Sequence, residues 1–388
     1  MMNRSWWRSK NELDEDQKAF IQLPAHGRYS LVGPPGSGKT NLLLLRAQFI
    51  AGMGEKNVLI VTYTKALANF IRSGIGASGL ISPNQVRTYH SWASSHILEN
   101  LGQRAVPKGA DFDDATRPAI LEMLREANAK LPTKQLFSAI FVDEAQDLTA
   151  DELEVLLSLS DNVAICGDAR QGIYDKNGLS AVEKLALQPH TLKRHFRIGQ
   201  RIAKVADRLM PPENPADSLE AMSNYDLKAQ GESSAHMNPC ANRDEQFEKM
   251  LEKIEIQLDA FKDDTIGIFC GKRETLEDLR IRFNKTKLSK QVCVHGVDDD
   301  SSFSDNKPIH VLTIHASKGT EFRAVHLFAV EELASYPLNR RRLGFTAITR
   351  AKTALNAYRT GDTNQPLENA FAQPQHMELD DLFPGDKS

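Results

Sequence analysis

Short apolar runs alternate with longer amphipathic stretches along most of the chain. Runs of this length, bounded by turn residues and separated by helical patterns, are typical of buried strands in parallel α/β sheets. The runs predicted as strands are 29–32, 58–62, 139–142 and 163–166 in the first half, then 265–270, 291–294, 309–314 and 324–330 in the second. The pattern therefore predicts an α/β fold with two parallel sheets.

The two groups of strands predict two domains and a tail. The first domain is expected over residues 1–188, with a small helical segment at about 92–138 whose clearest helix is 120–129. The second domain is expected over 189–360. Within it, residues 208–244 contain four prolines and are interpreted as a long surface loop. Residues 361–388, rich in Pro, Asn and acids, are expected to be a flexible tail.

Composition narrows the class of protein without naming a function. The 388 residues carry 48 basic and 51 acidic side chains, a formal net charge of −3, so bulk charge does not indicate a polyanion-binding protein. The four cysteines form no C-x-x-C pair, so the sequence signals neither a disulfide framework nor a zinc knuckle. With no apolar run long enough for a signal peptide or a membrane span, we expect a cytoplasmic protein without a membrane partner.

A glycine-rich segment between a predicted strand and a predicted helix fits G-x-x-x-x-G-K-[ST], the phosphate-binding loop. Its residues are Gly33, Pro34, Pro35, Gly36, Ser37, Gly38, Lys39 and Thr40. Glycines let backbone N–H groups turn toward phosphate oxygens, and the following helix adds its positive N-terminal dipole. We predict that ATP binds here, with Lys39 at the β- and γ-phosphates and Thr40 as a ligand of Mg²⁺.

Two acids follow the predicted strand 139–142, where a parallel sheet presents its ligand edge. Asp143 is interpreted as the carboxylate on the metal side, and Glu144 as the general base for hydrolytic water. An acidic cluster after a strand is more often the solvated start of a helix. The phosphate loop upstream favours the catalytic interpretation.

At this point the sequence resembles the superfamily 1 helicases of the UvrD/Rep/PcrA type, in a compact form that lacks the large second accessory domain. Besides the phosphate loop, the segments that resemble family motifs, in family order, are 13–17, 61–67, 88–91, 143–147 (DEAQD), 167–174, 192–198, 313–322 and 341–351. The resemblance implies two RecA-like domains with ATP held between them. The family's accessory insertions shrink here to residues 92–138 and a loop near 297–307.

The resemblance also implies roles for residues of the ATP site. Gln17 would read the adenine edge, Gln171 would sense the γ-phosphate, and Phe196 would stack on the base. Arg197 and Arg350 match the arginines that stabilise the transition state, and Glu321 would contact the ribose.

Single-stranded DNA contacts are implied in the same way. Tyr63, Thr64, Tyr89, His90 and His315 occupy the matching positions, whereas Lys176 stands where related motors place a stacking tryptophan. An ammonium group can hold a phosphate but offers no flat face for a base. Aromatic residues after strands are otherwise more often part of the core.

The leading functional hypothesis is a DNA-stimulated ATPase that translocates 3′→5′ on single-stranded DNA and unwinds duplex, in DNA repair or anti-phage defence. Its partners would be single-stranded DNA or a single-strand/duplex junction, with a nuclease or repair protein. The alternative is a regulatory, DNA-sensing ATPase subunit that controls a partner nuclease, as in Gabija-like defence complexes. A metabolic kinase with a phosphate loop would leave residues 313–350 unexplained.

Overall fold

The computed structural model of the chain describes residues 13–75, 79–105, 115–168, 170, 181–298, 303 and 307–372. These residues form two six-stranded parallel sheets, which confirms the prediction of an α/β fold with two such sheets. None of the helices in these ranges is long and apolar enough to cross a membrane.

The first sheet has the strand order β3-β2-β4-β5-β1-β6. Its strands are β1 (Arg28–Val32), β2 (Val58–Thr62), β3 (Val86–Thr88), β4 (Ala139–Val142), β5 (Val163–Gly167) and β6 (Gln188–Thr191). Its helices are α1 (Glu15–Ile21), α2 (Lys39–Gly52), α3 (Lys65–Ile75), α4 (Tyr89–Leu101), α5 (Arg117–Ala129), α6 (Ala150–Leu157) and α7 (Ala181–Lys184).

The second sheet has the order β7-β12-β11-β8-β10-β9. Its strands are β7 (Ser234–Cys240), β8 (Ile266–Cys270), β9 (Val292–Val294), β10 (Ile309–Thr313), β11 (Phe322–Leu327) and β12 (Ala351–Thr360). The remaining helices are α8 (Gln200–Leu209), α9 (Leu227–Gln230), α10 (Arg243–Ala260), α11 (Arg273–Asn284), α12 (Arg341–Ile348) and α13 (Gln365–Phe371).

Each sheet is covered by an apolar core on both faces, because alternate side chains of a strand point to opposite sides. In β2, Val58 and Ile60 pack into the core beneath α2 and α3, whereas Leu59 and Val61 pack against α4 and α5. Burial on both faces explains why the central strands are almost continuously apolar.

Four strands are absent from the sequence prediction, and each lacks a plain apolar run. β3 has three residues, and β6 and β7 are edge strands that contain Pro189 and Pro239. β12 buries polar side chains, including Lys352 and Asn356, among its apolar ones.

Three expectations about domain organisation need correction. β6 pairs with β1, so the first sheet continues to Thr191, beyond the expected boundary at 188. The segment 208–244, expected to be a long surface loop, contains β7, which pairs with β12. The expected flexible tail begins with α13, which has Leu367 and Ala370 in the core of the second sheet.

The packing of α13 predicts that this helix stabilises the second domain. Leu367 is 2% exposed, so Leu367→Ala should lower the free energy of unfolding by about 2–3 kcal/mol, through lost burial and the cavity left behind. Urea denaturation followed by circular dichroism measures this change. The matched control is Asn369→Ala on the exposed face of the same helix, which should change stability by less than about 0.5 kcal/mol. Equal stability of the two variants would show that α13 contributes nothing to the core.

Candidate active site

The glycine-rich loop joins β1 to the first turn of α2, at the carboxyl edge of the first sheet. Gly36 and Gly38 have φ angles of +78° and +87°, in the left-handed region that favours glycine. Lys39 Nζ donates hydrogen bonds to the carbonyl oxygens of Gly33 at 2.9 Å and Pro34 at 3.0 Å. The loop is therefore a tight cradle with its lysine folded over it.

Gln17 reaches this cradle from α1. Its Nε2 donates to the carbonyl oxygen of Ser37 at 2.8 Å, and its Oε1 accepts from the backbone N–H of Asp14 at 3.1 Å. Asp14 in turn accepts from the Gln17 N–H at 2.7 Å, which completes a capping box. The structure therefore ties Gln17 to the phosphate loop; its predicted role at adenine stays a prediction.

Asp143 and Glu144 follow β4, two strands away from β1 and at the same edge of the sheet. Asp143 Oδ1 accepts from the Glu144 N–H and from Cys166 Sγ, both at 2.9 Å. Burial, reinforced by the charge of Glu144, raises the pKa of Asp143 to about 6, against the opposing hydrogen bonds of Cys166 and Thr40. A buried carboxyl with a hydroxyl beside it is a donor pair that suits Mg²⁺.

Glu144 is held in a strained backbone conformation, with a φ angle of +55° that non-glycine residues rarely adopt. Its Oε2 accepts a hydrogen bond from Gln146 Nε2, and Gln146 Oε1 accepts from the Asp168 N–H at 3.2 Å. Burial alone would raise the pKa of Glu144, but the nearby Lys318, Arg350 and Lys39 lower it overall. The side chain is thus oriented and kept ionised, as a general base requires.

Lys318 comes from the second sheet, in the loop between β10 and β11. Its Nζ lies 2.6 Å from Asp147 Oδ1 and 3.6 Å from Glu144 Oε2, and the Lys318 and Asp147 side chains are 1% and 0% exposed. Burial raises the pKa of Asp147 to about 6, an effect that Lys318 opposes. Sequence reasoning did not select Lys318 or Asp147 as site residues, although both stand inside quoted motif segments.

Arg350 and Glu321 also belong to the second sheet and directly precede β12 and β11. Arg350 is buried and donates to the carbonyl oxygens of Thr346 at 3.1 Å and Thr320 at 3.3 Å. Burial lowers the pKa of Arg350 overall, although the carboxylates of the first sheet, Glu144 foremost, oppose this effect.

Glu321 is held between two cations of the second domain. It forms an ion pair with Arg197 and another with Lys352 Nζ at 3.2 Å. The neighbouring Phe196 is mostly buried, and its N–H donates to the carbonyl oxygen of Gly36 at 3.2 Å. This contact fixes the segment that carries Arg197 against the phosphate loop.

Many of these side chains, though not Lys318 or Asp147, line one cavity of about 250 Å³ between the carboxyl edge of the first sheet and the starts of strands in the second. Its lining includes the predicted residues Gln17, Pro35, Gly36, Ser37, Gly38, Lys39, Thr40, Asp143, Glu144, Phe196, Arg197, Glu321 and Arg350. It also includes Phe70, Gln230, Asp264, Arg323 and Lys352, which the sequence analysis missed because no motif segment singled them out. Gln171, predicted at the γ-phosphate, lies outside the described residues.

The donor set fits a nucleotide with Mg²⁺. Ser37 Oγ is buried and has no hydrogen-bond partner among the described residues, and it sits in a loop that a phosphate would fill. Thr40 and Asp143 supply hydroxyl and carboxylate oxygens, the ligands that Mg²⁺ prefers.

Comparison with known families agrees with this arrangement. The family described as AAA domain matches residues 16–177, and the family described as UvrD-like helicase C-terminal domain matches residues 308–358. The two matches, one in each domain, support a resemblance to the UvrD/Rep type of superfamily 1 helicases.

Two individual proteins resemble this chain over part of their length. F-box DNA helicase 1 from Gallus gallus is 41% identical over 78 residues, which is 19% of this chain and 8% of that protein. The solved structure of PRRSV helicase has a TM-score of 0.41 and 15% identity, and the alignment covers 88% of this chain and 54% of that one. The matched region is thus a small part of the curated relative.

The residues predicted to contact single-stranded DNA divide into two groups. The rings of Tyr63 and His90 are half-buried and meet edge to face at 5.1 Å, and the Tyr63 hydroxyl accepts from Arg117 Nη1 at 3.3 Å. Burial and the charge of Arg117 lower the pKa of His90 to about 4, so this ring is neutral at pH 7. Tyr89, in contrast, is 1% exposed and packs on Trp92, and its predicted contact with DNA stays a prediction.

The other members of the set take different positions. Thr64 caps α3 by accepting from the Leu67 N–H at 3.2 Å. His315 is half-buried, and burial together with Arg340 lowers its pKa. Lys176 lies outside the described residues.

The orientation of Glu144 predicts the effect of its removal. Glu144→Gln keeps the size of the side chain but cannot accept a proton, so we expect ATP turnover to fall at least about 100-fold while nucleotide binding is retained. Phosphate release and titration with a fluorescent nucleotide measure the two quantities. The exposed Glu126→Gln on α5 is the control and should behave as the unchanged chain. Retained turnover in Glu144→Gln would exclude this residue as the base.

The buried pair across the cleft predicts a coupled effect on stability. Asp147→Asn leaves the buried Lys318 without its closest carboxylate, so we expect the free energy of unfolding to fall by about 3 kcal/mol. Adding Lys318→Met should recover part of that loss, because the unpaired charge is removed with its partner. Urea denaturation of both single variants and the double variant gives the coupling energy. Glu122→Gln, which breaks the exposed pair with Arg125, is the control and should have little effect. Strictly additive losses would contradict the pairing.

Proposed function

We propose that this chain hydrolyses ATP in the cavity between its two sheets and uses the energy to move along single-stranded DNA. The observation that carries the proposal is the environment of Glu144, which faces Lys39 of the phosphate loop together with Lys318 and Arg350 of the second sheet. A base and cations gathered from both domains around one phosphate cradle are the arrangement that phosphoryl transfer to water requires.

Each residue has a distinct task in this scheme. The loop amides and Lys39 hold the phosphates, while Thr40 and Asp143 would hold Mg²⁺, which neutralises charge on the phosphate oxygens when bound. Glu144 takes a proton from the attacking water. Arg350 and Arg197 stabilise the negative charge that develops on the γ-phosphate oxygens, and losing such an arginine typically lowers the rate by 10³-fold or more.

Hydrolysis would be coupled to movement because the cations belong to the second sheet. ATP would draw the two sheets together and its hydrolysis would release them. The direction, 3′→5′, and the ability to separate a duplex at a junction are proposed from the family resemblance.

Contact with single-stranded DNA is proposed for Tyr63, Thr64, His90 and His315, with Lys176 as a phosphate contact. The half-buried rings near the ends of β-strands suit stacking on DNA bases, and the Thr64 hydroxyl suits a contact with the DNA backbone. Such contacts need no surplus of basic residues. The name of the matching relative, a DNA helicase, supports DNA as the polymer. A role in DNA repair or anti-phage defence, beside a nuclease or repair protein in the cytoplasm, stays part of the proposal.

A second candidate is a regulatory ATPase that senses DNA and controls a partner nuclease. The burial of Tyr89 favours it, because this ring is unavailable to stack on a base.

The decisive experiment measures ATP hydrolysis with and without oligo-dT, and strand displacement on 3′-tailed, 5′-tailed and blunt duplexes. We expect oligo-dT to raise turnover at least about tenfold and displacement to favour the 3′ tail. Lys39→Ala should abolish both, whereas the exposed Lys56→Ala should change neither. Stimulated hydrolysis without displacement would support the regulatory candidate. Equal turnover with and without DNA would contradict the motor.

A further inference from the structure

A second cluster of ligand-type side chains lies in the second domain, outside the nucleotide cavity. Cys293 is on β9, His295 follows that strand directly, and His310 is on the neighbouring β10. One donor atom from each of these three residues lies within 4.8 Å of the others. We propose that Cys293, His295 and His310 bind a zinc ion that clamps β9 to β10.

Strand pairing brings the three side chains to one face of the sheet. Cys293 and His310 are register partners, and His295 stands two residues after Cys293, so all three point the same way. The alternate residues Val292 and Val294 pack into the apolar core on the opposite face. The side chains are thus aligned by the backbone.

The two imidazoles already approach each other. His295 Nε2 lies 3.0 Å from His310 Nδ1, and the His310 ring also has a hydrogen bond with the backbone of Lys307. A backbone partner of this kind holds a metal-ligating histidine in one tautomer. Cys293 and His310 are 0% and 1% exposed, so these polar groups are removed from water.

Aromatic rings shield the cluster. Phe303 stacks on His295 with ring centroids 4.5 Å apart and lies 4.9 Å from His310, while Phe322 lies 5.9 Å from His310. The nearby Asp298 is engaged elsewhere, by Arg280 at 2.7 Å and by the Val294 N–H at 2.8 Å. The ligand set is therefore one sulfur and two nitrogens.

One thiolate and two imidazoles are the ligands that zinc takes in proteins, at about 2.3 Å for sulfur and 2.0–2.1 Å for nitrogen. Small side-chain rotations would bring the three donors to these distances. The Cys293 thiol would release its proton to solvent as the zinc–sulfur bond forms, and water would occupy the fourth position.

The clamp would act on a short strand at the edge of the sheet. Among the described residues, β9 has three residues and pairs with β10 alone, so few hydrogen bonds hold it in place. β10 leads into the loop that carries Lys318. Zinc would therefore fix the strand from which that loop departs. The site shares no residue with the nucleotide cavity and does not depend on the proposed function.

The test uses the full chain after dialysis against a chelator, titrated with zinc chloride in competition with a chromophoric chelator. We expect one zinc ion per chain and a higher thermal midpoint with zinc. Cobalt should give a sulfur-to-metal absorption band that Cys293→Ser removes. His295→Ala should bind zinc at least about 100-fold more weakly; since His295 is only half-buried, this variant should fold even where Cys293→Ser does not.

Two controls locate the ion. Cys240→Ser alters a thiol outside the cluster, and Asp143→Asn alters the nucleotide cavity; both should retain full zinc affinity. Absence of stoichiometric binding would overturn the proposal, as would zinc affinity in His295→Ala equal to that of the unchanged chain.

Discussion

The arrangement of the cleft depends on one buried cation, Lys318, placed among the carboxylates of the opposite domain. Removing an ammonium group and a carboxylate from water costs several kcal/mol for each ion, and only close pairing offsets that cost. Lys318 meets Asp147 at 2.6 Å only when both sheets are in position. The charge balance of the first domain is therefore completed by the second, which ties catalytic geometry to domain geometry.

The same dependence on shared charge explains the arrangement around Glu321. Arg197 forms an ion pair with this carboxylate, yet its proposed role requires it to turn toward a phosphate oxygen. Lys352 lies 3.2 Å from the other oxygen of Glu321, so the carboxylate keeps a cation when Arg197 moves. Exchanging one cation for another costs less free energy than leaving a buried carboxylate without a partner. Lys352 thus lowers the electrostatic cost of moving Arg197 away from Glu321.

Local features could be predicted from the sequence, whereas features set by pairing between distant segments could not. The phosphate loop and the strands rich in Val and Ile carry their signal within a few neighbouring residues. Lys318 and Asp147 are 171 positions apart, and Cys293 meets His310 only through strand register. Tyr63 and Tyr89 look alike in sequence, but α4 turns Tyr89 into the core. Edge strands such as β6 escaped prediction because one-sided pairing needs no apolar run.

The loop that carries Lys318 also links the ATP cleft to the proposed DNA contacts. Gly319, with a φ angle of +78°, lies so close to α3 that an added Cβ would be 2.6 Å from Leu67 Cδ2. Only glycine allows this approach. Thr64 caps the first turn of the same helix through the N–H of Leu67. A shift of Lys318 would therefore press, through Gly319 and Leu67, on the start of the helix that Thr64 caps.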